Sequence, residues 1–337
     1  MPRVAVSLRS PQIRTSMPLD PRAQRLLAML ALSNQAQALS NQANPAETGV
    51  DAAERRRSFT ALMNLSRHAE VVASVTDGTV QGADGPLPAR CYTPMDAPDG
   101  PMPGLVFFHG GGLVAGDLDT HDAFCRSLAA VAACRVIAVA YRLAPEHRFP
   151  AAVDDAVAAT SAILGEASAW GLDSARIGVA GDSAGATLAT VVAAADSDTA
   201  TPRLRLQVLL CPVLDLAVRR PSRLDFGQGY MLDQVTMDRD LAAYLPPGID
   251  PADPRVSPLH RDDLAGFCPA LIHTAAFDPL RDEGLAYAER LTAAGVPVRH
   301  TCHPGMIHHF VALTGLIPAA AIALSAIGAE IRAALAP

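Results

Sequence analysis

Apolar and polar positions follow two different patterns in the N-terminal third of the chain. Apolar residues recur at helical spacing over residues 19–39 and again in the segment "VDAAERRRSFTALMNL", so the sequence predicts two helices there. The next segment, "VVASVTDGTVQGADGPLPARCYTP", is rich in β-branched residues and carries Asp-Gly turn signals. That pattern predicts a meander of antiparallel strands.

Beyond Pro103, short and continuous apolar runs alternate with segments of helical periodicity. The runs predict strands over Leu105–Phe108, Arg135–Ala140, Ile177–Ala180, Leu206–Cys211, Ala270–Thr274 and Val298–Thr301. Helices are predicted over Ala123–Ala133, Ala151–Glu166, Ala184–Ala195, Leu232–Tyr244 and Gly284–Ala294. Strands that are apolar throughout and alternate with helices indicate βαβ units. The fold class is therefore α/β, with a mostly parallel central sheet and helices on both faces.

The chain between Cys211 and Ala270 is longer than one crossover needs, which predicts an inserted segment with at least one helix over residues 215–250. Together with residues 17–70, this insertion is expected to form a helical cap over a catalytic core that spans residues 71–337. Residues 1–16 are expected to be a loose extension. The apolar C-terminal stretch is interrupted by Pro318 and carries Glu330 and Arg332. It therefore predicts a core-packed helix rather than a membrane span.

Composition narrows the classes of function. Half of the 337 residues are hydrophobic, 18% are charged and the formal net charge is −7, which is typical of a folded protein and excludes a nucleic-acid partner. The N-terminus lacks the compact apolar core of a signal peptide, so a cytoplasmic location is expected. Six cysteines are scattered without a C-x-x-C pair, which indicates buried thiols rather than a disulfide framework or a zinc site.

The segment "GDSAG" at residues 181–185 stands between a predicted strand and a predicted helix. In that context G-x-S-x-G predicts a sharp turn that holds the hydroxyl of Ser183 above the sheet as a nucleophile. The following helix N-terminus supplies free N–H groups and a positive dipole end for developing negative charge. A glycine-rich turn with a capping serine is the alternative reading.

A serine nucleophile needs a base, and the base needs a group that orients it. Asp278 follows a predicted strand, although an aspartate there is also typical of a helix N-cap. Asp282 and Glu283 are rival acids further into the predicted helix. Three histidines in one later loop are candidate bases: His303, His308 and His309. The chain order of serine, acid and histidine is that of the α/β-hydrolases.

Five motifs, in this order, give the sequence a specific resemblance: "HGGG" at 109–112, "YRLAPEHRFPAAVDDA" at 141–156, "GDSAG" at 181–185, "DPLRDEG" at 278–284 and "GMIHHF" at 305–310. The chain resembles the hormone-sensitive-lipase-like branch of the α/β-hydrolases, in particular its bacterial carboxylesterases, from about Leu19 to the C-terminus. The resemblance implies the α/β-hydrolase fold, with a cap formed by N-terminal helices and an insertion.

The resemblance also implies roles for individual residues. Ser183 is then the nucleophile, Asp278 the acid and His308 the base, and His309 stands where the family has a glycine. The oxyanion hole is implied to consist of the backbone N–H groups of Gly110, Gly111 and Ala184. Four further residues are expected to support the site: His109, which braces the loop, Gly112, which lets it turn, Asp182 and Glu146.

The expected function is hydrolysis of short- to medium-chain carboxylic esters through an acyl-enzyme, with a small-molecule ester as the binding partner. This mechanism requires neither a metal nor an organic cofactor. A lactonase, an amidase or a deacetylase would use the same triad, because the triad alone does not define the leaving group. A non-catalytic receptor of the same fold is the alternative from another class. A homodimer, a form often seen in this family, is an expectation for which the sequence indicates no interface.

Overall fold

The computed structural model describes residues 18–42, 51–66 and 70–337, so the loose extension expected over residues 1–16 lies outside the described residues. The described helices are α1 Pro21–Gln42, α2 Ala52–Asn64, α3 Asp122–Ala132, α4 Ala151–Gly165, α5 Ala184–Ser197, α6 Pro221–Phe226, α7 Gln234–Tyr244, α8 Arg281–Ala293 and α9 Pro318–Ala334. The described strands are β1 Ser74–Gly82, β2 Gly85–Thr93, β3 Met102–Phe108, β4 Arg135–Val139, β5 Leu172–Asp182, β6 Leu206–Leu210, β7 Ala270–Phe277 and β8 Val298–Ile307.

The eight strands form one sheet in the order β1-β2-β4-β3-β5-β6-β7-β8. Strands β1, β2 and β4 pair in antiparallel fashion, and every pair from β4 to β8 is parallel. Parallel neighbours need crossover connections, which the helices between the strands provide. The predicted fold class and the antiparallel N-terminal meander are both confirmed.

The alternation of side chains along each strand divides the interior into two cores. In β3, Val106 and Phe108 belong to the core that includes α4, α5 and α8, whereas Leu105 and Phe107 belong to the core that includes α3 and α9. Successive residues of a strand point to opposite faces, so a strand buried on both sides consists mostly of apolar residues. This is the physical reason that the strands beyond Pro103 have continuous apolar runs.

All six predicted central strands are confirmed, but four of them, β3, β5, β7 and β8, are longer than their apolar runs, and β5 and β8 differ most. β5 begins at Leu172 rather than Ile177, because Leu172 pairs with Met102 across a register shift in β3. β8 continues to Ile307 beside β7, again through an irregular register. Polar residues interrupt the apolar pattern in the β5 extension, and histidine, proline and glycine interrupt it in the β8 extension, so hydrophobicity alone does not predict them. The predicted C-terminal helix is confirmed by α9, which buries Leu324, among others.

The topology brings the carboxyl ends of β3, β5, β7 and β8 to one edge of the sheet. Parallel strands end at the same edge, and an open α/β sheet usually binds its ligands there, among the residues that follow the strands. The inserted segment between β6 and β7 contains α6 and α7, as predicted for at least one helix. None of the described helices is long and apolar enough to cross a membrane. All six cysteines lie within the described ranges and are free thiols, three of them buried and three partly buried.

Candidate active site

Ser183 lies between the end of β5 and the start of α5, in a backbone conformation that L-residues rarely adopt. Its φ is 53° and its ψ −120°, and the side chain is 5% exposed. Such a conformation costs about 1–3 kcal/mol and persists only where the surroundings enforce it. A Cβ on Gly181 would overlap the backbone of Gly185, and one on Gly185 would overlap the carbonyl of Phe108. Both flanking glycines are therefore required by packing.

His308 lies between Ser183 and Asp278 and contacts both. Its Nε2 is 2.9 Å from Oγ of Ser183, and its Nδ1 is 2.8 Å from Oδ2 of Asp278. A second hydrogen bond holds the carboxylate, because the N–H of Leu280 donates to Oδ1 at 2.8 Å. An ionised carboxylate only accepts hydrogen bonds, so Nδ1 carries the proton and Nε2 is free to accept one from the serine hydroxyl. All three side chains are buried.

The rival acids have other partners. Glu283 is fully buried, where it accepts the N–H groups of Leu214 and Asp215 and pairs with Arg223 at 2.7 Å. Asp282 accepts the N–H of Ser222. Neither carboxylate contacts an imidazole, so neither completes a triad in this structure.

The other two histidines of the loop also have separate partners. His303 Nε2 lies 3.2 Å from Nδ1 of His273 on β7, and burial lowers the pKa of His303 to about 4. His309 Nδ1 lies 2.9 Å from Oδ2 of Asp182, and its backbone φ is 57°. Burial and the adjacent His308 lower the pKa of His309 to about 4, so it is neutral near pH 7.

The backbone after β3 corrects one predicted role. The N–H of Gly110 donates to Oδ1 of Asp182 at 2.8 Å and is buried there. Because that hydrogen is already engaged, Gly110 is not available as an oxyanion donor, and this prediction is wrong. Gly111 and Gly112, by contrast, line the same cavity as Ser183 and Ala184. Within the described ranges, neither of their N–H groups donates to a backbone carbonyl.

Two predicted supporting residues hold loops beside the site. His109 donates from Nδ1 to the carbonyl of Gly110 at 2.9 Å and stacks on Tyr141, whose hydroxyl donates to the carbonyl of His109. Burial lowers the pKa of His109 to about 4. Glu146 pairs with Arg56 of α2 at 2.6 Å, and this hydrogen bond lowers its pKa to about 2. Neither residue forms a hydrogen bond with Ser183, and their supporting role stays a prediction.

Asp182 connects two segments of the site. One is the nucleophile turn, residues 181–185, and the other is the glycine loop, residues 109–112, which follows β3. Burial opposes its ionised form, but the close contacts with the imidazoles of His121 and His309 outweigh that effect and hold the pKa of Asp182 well below its usual value. The carboxylate therefore stays ionised and accepts the N–H of Gly110.

Two cavities open beside the candidate triad, one at Ser183 and the other at His308. The narrow one, of about 60 Å³, is lined by Ser183, Ala184 and the glycine loop, and its far wall is apolar. The wide one, of about 710 Å³, is lined by His308 and by residues of α1, α2 and α7. Arg55 of α2 and Asp240 of α7 border both cavities. Sequence reasoning missed these two residues, because they lie 185 positions apart in segments without a chemical motif.

One group of potential metal ligands occurs among the described residues. Cys211, Asp278 and His308 offer ligand atoms within 4.8 Å of one another. The atoms of Asp278 and His308 are already hydrogen bonded to each other, so the group coincides with the candidate triad. Burial raises the pKa of the Cys211 thiol well above its usual value, which keeps it protonated and a poor metal ligand.

Comparisons with known proteins agree with the fold. A family model described as the α/β hydrolase fold matches residues 105–312. The ethyl acetate hydrolase of Pseudomonas putida is 41% identical over 274 residues, which are 80% of this chain and 86% of that protein. The carboxylesterase NlhH of Mycobacterium tuberculosis is 42% identical over 246 residues, which are 71% of this chain and 76% of that protein.

Solved structures are similar over nearly the whole chain. An ester hydrolase from the metagenome of Lake Arreo has a TM-score of 0.87 and 36% identity, and the superposition covers 94% of this chain and 98% of that one. An esterase of Pyrobaculum calidifontis has a TM-score of 0.85 and 34% identity, with 94% of this chain and 99% of that one covered.

Proposed function

The chain belongs to the α/β-hydrolase fold family, in its hormone-sensitive-lipase-like branch, and is a carboxylic-ester hydrolase; we propose that Ser183, His308 and Asp278 are its catalytic triad. The observation that carries the proposal is the continuous hydrogen-bonded chain from Oγ of Ser183 through His308 to Asp278, at 2.9 and 2.8 Å. These distances are within the reach that proton transfer between a nucleophile and a base requires.

In the proposed reaction, Oγ of Ser183 attacks the ester carbonyl carbon while Nε2 of His308 takes the hydroxyl proton. The imidazolium that forms is stabilised by the carboxylate of Asp278 and then protonates the leaving alcohol. Water, deprotonated by the same imidazole, attacks the acyl-enzyme, and the acid leaves as Ser183 regains its proton. Each of the two half-reactions thus returns His308 to the neutral form that accepts a proton at Nε2.

The tetrahedral intermediate carries an oxyanion, for which we propose the N–H groups of Gly111, Gly112 and Ala184 as donors. All three residues line the cavity of Ser183. Ala184 is the first residue of α5, so its N–H has no acceptor within the helix, and the helix dipole favours negative charge there. Removing one such donor from a hydrolase of this kind costs about 10²–10³ in kcat.

Short- to medium-chain acyl esters are the proposed substrate class. The apolar wall of the narrow cavity, with Val213, Leu216 and Val256, suits an alkyl chain, and its volume of about 60 Å³ suits a short one. The division of the chain into a core and a cap over residues 17–70 and 215–250 stays a prediction. It is supported by α2 and α7, which both contribute to the cavity walls. The homodimer also stays a prediction, which light scattering tests.

The proposed triad is tested by the Ser183→Ala variant on nitrophenyl acetate and nitrophenyl butyrate. We expect hydrolysis to disappear while the unfolding midpoint in urea stays within the range of the wild type. Retention of most of the activity would overturn the role of Ser183. A fluorophosphonate probe should label the wild type and not the variant, whereas an unlabelled wild type would favour a non-catalytic receptor.

A substrate panel addresses the leaving group, which the triad does not define. Nitrophenyl esters from acetate to palmitate, a lactone and an anilide are compared by kcat/KM at one pH. We expect the maximum among the short esters, because the narrow cavity limits the acyl chain. A maximum on the lactone or the anilide would replace the ester proposal with the corresponding alternative.

A further inference from the structure

The two cavities beside the candidate triad are separated by a wall of four residues that border both of them: Arg55, Leu232, Asp240 and His309. Two of the four form an ion pair between α2 and α7. Arg55 donates from Nε to both carboxylate oxygens of Asp240, at 3.2 and 3.3 Å, and from Nη2 to Oδ2 at 3.0 Å. An arginine with two donating nitrogens on one carboxylate is held in a defined orientation.

Packing fixes both partners of the pair. The guanidinium of Arg55 lies 5.3 Å from the ring centroid of Phe59, one turn further along α2. Asp240 packs closely against the glycine loop, because a Cβ on Gly112 would overlap its carboxylate. The two side chains are 19% and 10% exposed, so the pair is largely shielded from solvent. The wall is thus anchored at one end on α2 and at the other on the loop that faces Ser183.

The proposed reaction assigns one half of the ester to each cavity. His308 protonates the leaving alcohol, and His308 borders the wide cavity, so the alcohol leaves through that side. The oxyanion donors and Ser183 border the narrow cavity, so the acyl chain extends into it. The acyl chain therefore points toward the side of the wall formed by Arg55 and Asp240.

We propose that the Arg55–Asp240 ion pair closes the acyl cavity and makes the enzyme selective for esters of short acids with larger alcohols. The inference rests on the proposed function. A cavity needs about 10–15 Å³ for each water-sized group, so one of about 60 Å³ holds roughly four to six such groups, enough for a butyryl chain. A longer chain has to displace the pair, and separating two largely buried charges is strongly unfavourable.

The test compares kcat/KM for nitrophenyl octanoate and nitrophenyl butyrate. In the double variant Arg55→Ala/Asp240→Ala, the narrow cavity joins the wide one, and we expect the octanoate-to-butyrate ratio to rise at least tenfold, since each methylene that becomes buried contributes severalfold. The neutral pair Arg55→Gln/Asp240→Asn keeps most of the bulk but has no charges to separate, so its octanoate-to-butyrate ratio should rise much less than that of the double-alanine variant. The exposed ion pair between Arg219 and Asp238, whose aspartate lies on α7, provides the matched control Arg219→Ala/Asp238→Ala, which should not change the ratio.

An unchanged ratio in a folded double-alanine variant would overturn the proposal, and so would an equal shift in the neutral pair or the surface control. A second readout is independent of catalysis. Calorimetry measures octanoate and butyrate binding in a Ser183→Ala background with and without the double-alanine change, and octanoate should bind at least tenfold tighter only with the change. The same octanoate affinity with and without the double-alanine change would contradict the proposal that the ion pair closes the acyl cavity. A wild-type protein that hydrolyses no ester would contradict the proposed function alone.

Discussion

Replacing Asp278 with asparagine should change which nitrogen of His308 carries the proton. Oδ1 of Asp278 accepts the N–H of Leu280, and Oδ2 faces Nδ1 of His308, both at 2.8 Å. An asparagine preserves the bond to Leu280 only if its amide oxygen takes the Oδ1 position, which turns its NH₂ group toward His308. Nδ1 then has to accept a hydrogen bond, so the proton resides on Nε2, which can no longer accept the proton of Ser183.

The expected loss in kcat is about 10⁴, the magnitude measured for the same tautomer change in a serine protease, and corresponds to about 5.4 kcal/mol of barrier. Stability should change little, because the new side chain has the same shape and keeps both hydrogen-bond positions. The assay is kcat for nitrophenyl butyrate, with urea unfolding as the stability readout and ¹⁵N NMR of His308 as the readout of its tautomer.

Asp282→Asn is the matched control for this substitution, because Asp282 is a nearby carboxylate on α8 that contacts Ser222 and no imidazole. We expect its kcat to stay within about twofold of the wild type, as for most changes outside a catalytic network. A loss of less than tenfold in Asp278→Asn, or an Nδ1–H tautomer retained in that variant, would refute the role assigned to Asp278.

Two further predictions concern stability. Glu283→Ala leaves Arg223 buried without its carboxylate and should lower the free energy of unfolding, measured in urea, by about 3–5 kcal/mol. Asp238→Ala, at an exposed ion pair, is the control and should lower it by less than about 1 kcal/mol. Equal losses in the two variants would contradict the importance of the buried pair. Burial lowers the pKa of His273 to about 3 and of His303 to about 4. The unfolded chain binds these protons below about pH 6.5 and the folded chain does not, so the unfolding midpoint should fall steadily from pH 6.5 to 4.5 and fall less in His273→Gln.

The strands and most of the helices could be predicted because burial on both faces leaves a strong local signal. Leu206–Leu210 is buried at every position and was predicted as a strand with nearly the same bounds. The start of β5, by contrast, is held at Leu172 by pairing with Met102 of β3, an interaction between distant segments. No local pattern of hydrophobicity encodes such a pairing, so the strand was predicted too short.

The sequence also predicts one part of the candidate site, the triad, and not the other, the oxyanion donors. The order of motifs along the chain pointed to Ser183, Asp278 and His308, and the structure brings these three together. The three consecutive glycines, however, cannot be distinguished by residue type, because the direction of each N–H depends on the backbone dihedral angles. The carboxylate that engages Gly110 comes from Asp182, 72 residues later. Residue types alone therefore could not show which of the glycines face the serine.

Asp182 links the two halves of the site, the nucleophile turn and the glycine loop. It immediately precedes Ser183, and its carboxylate accepts the N–H of Gly110, so the nucleophile turn and the glycine loop are joined by one short hydrogen bond. Once that N–H is directed away from the cavity, the next two residues, Gly111 and Gly112, are the ones that border it beside Ser183. His309 approaches the other oxygen of the same carboxylate. The carboxylate thus connects the nucleophile turn, the glycine loop and the loop that contains His308 and His309. We therefore expect the ionised form of Asp182 to hold these three segments in their relative positions.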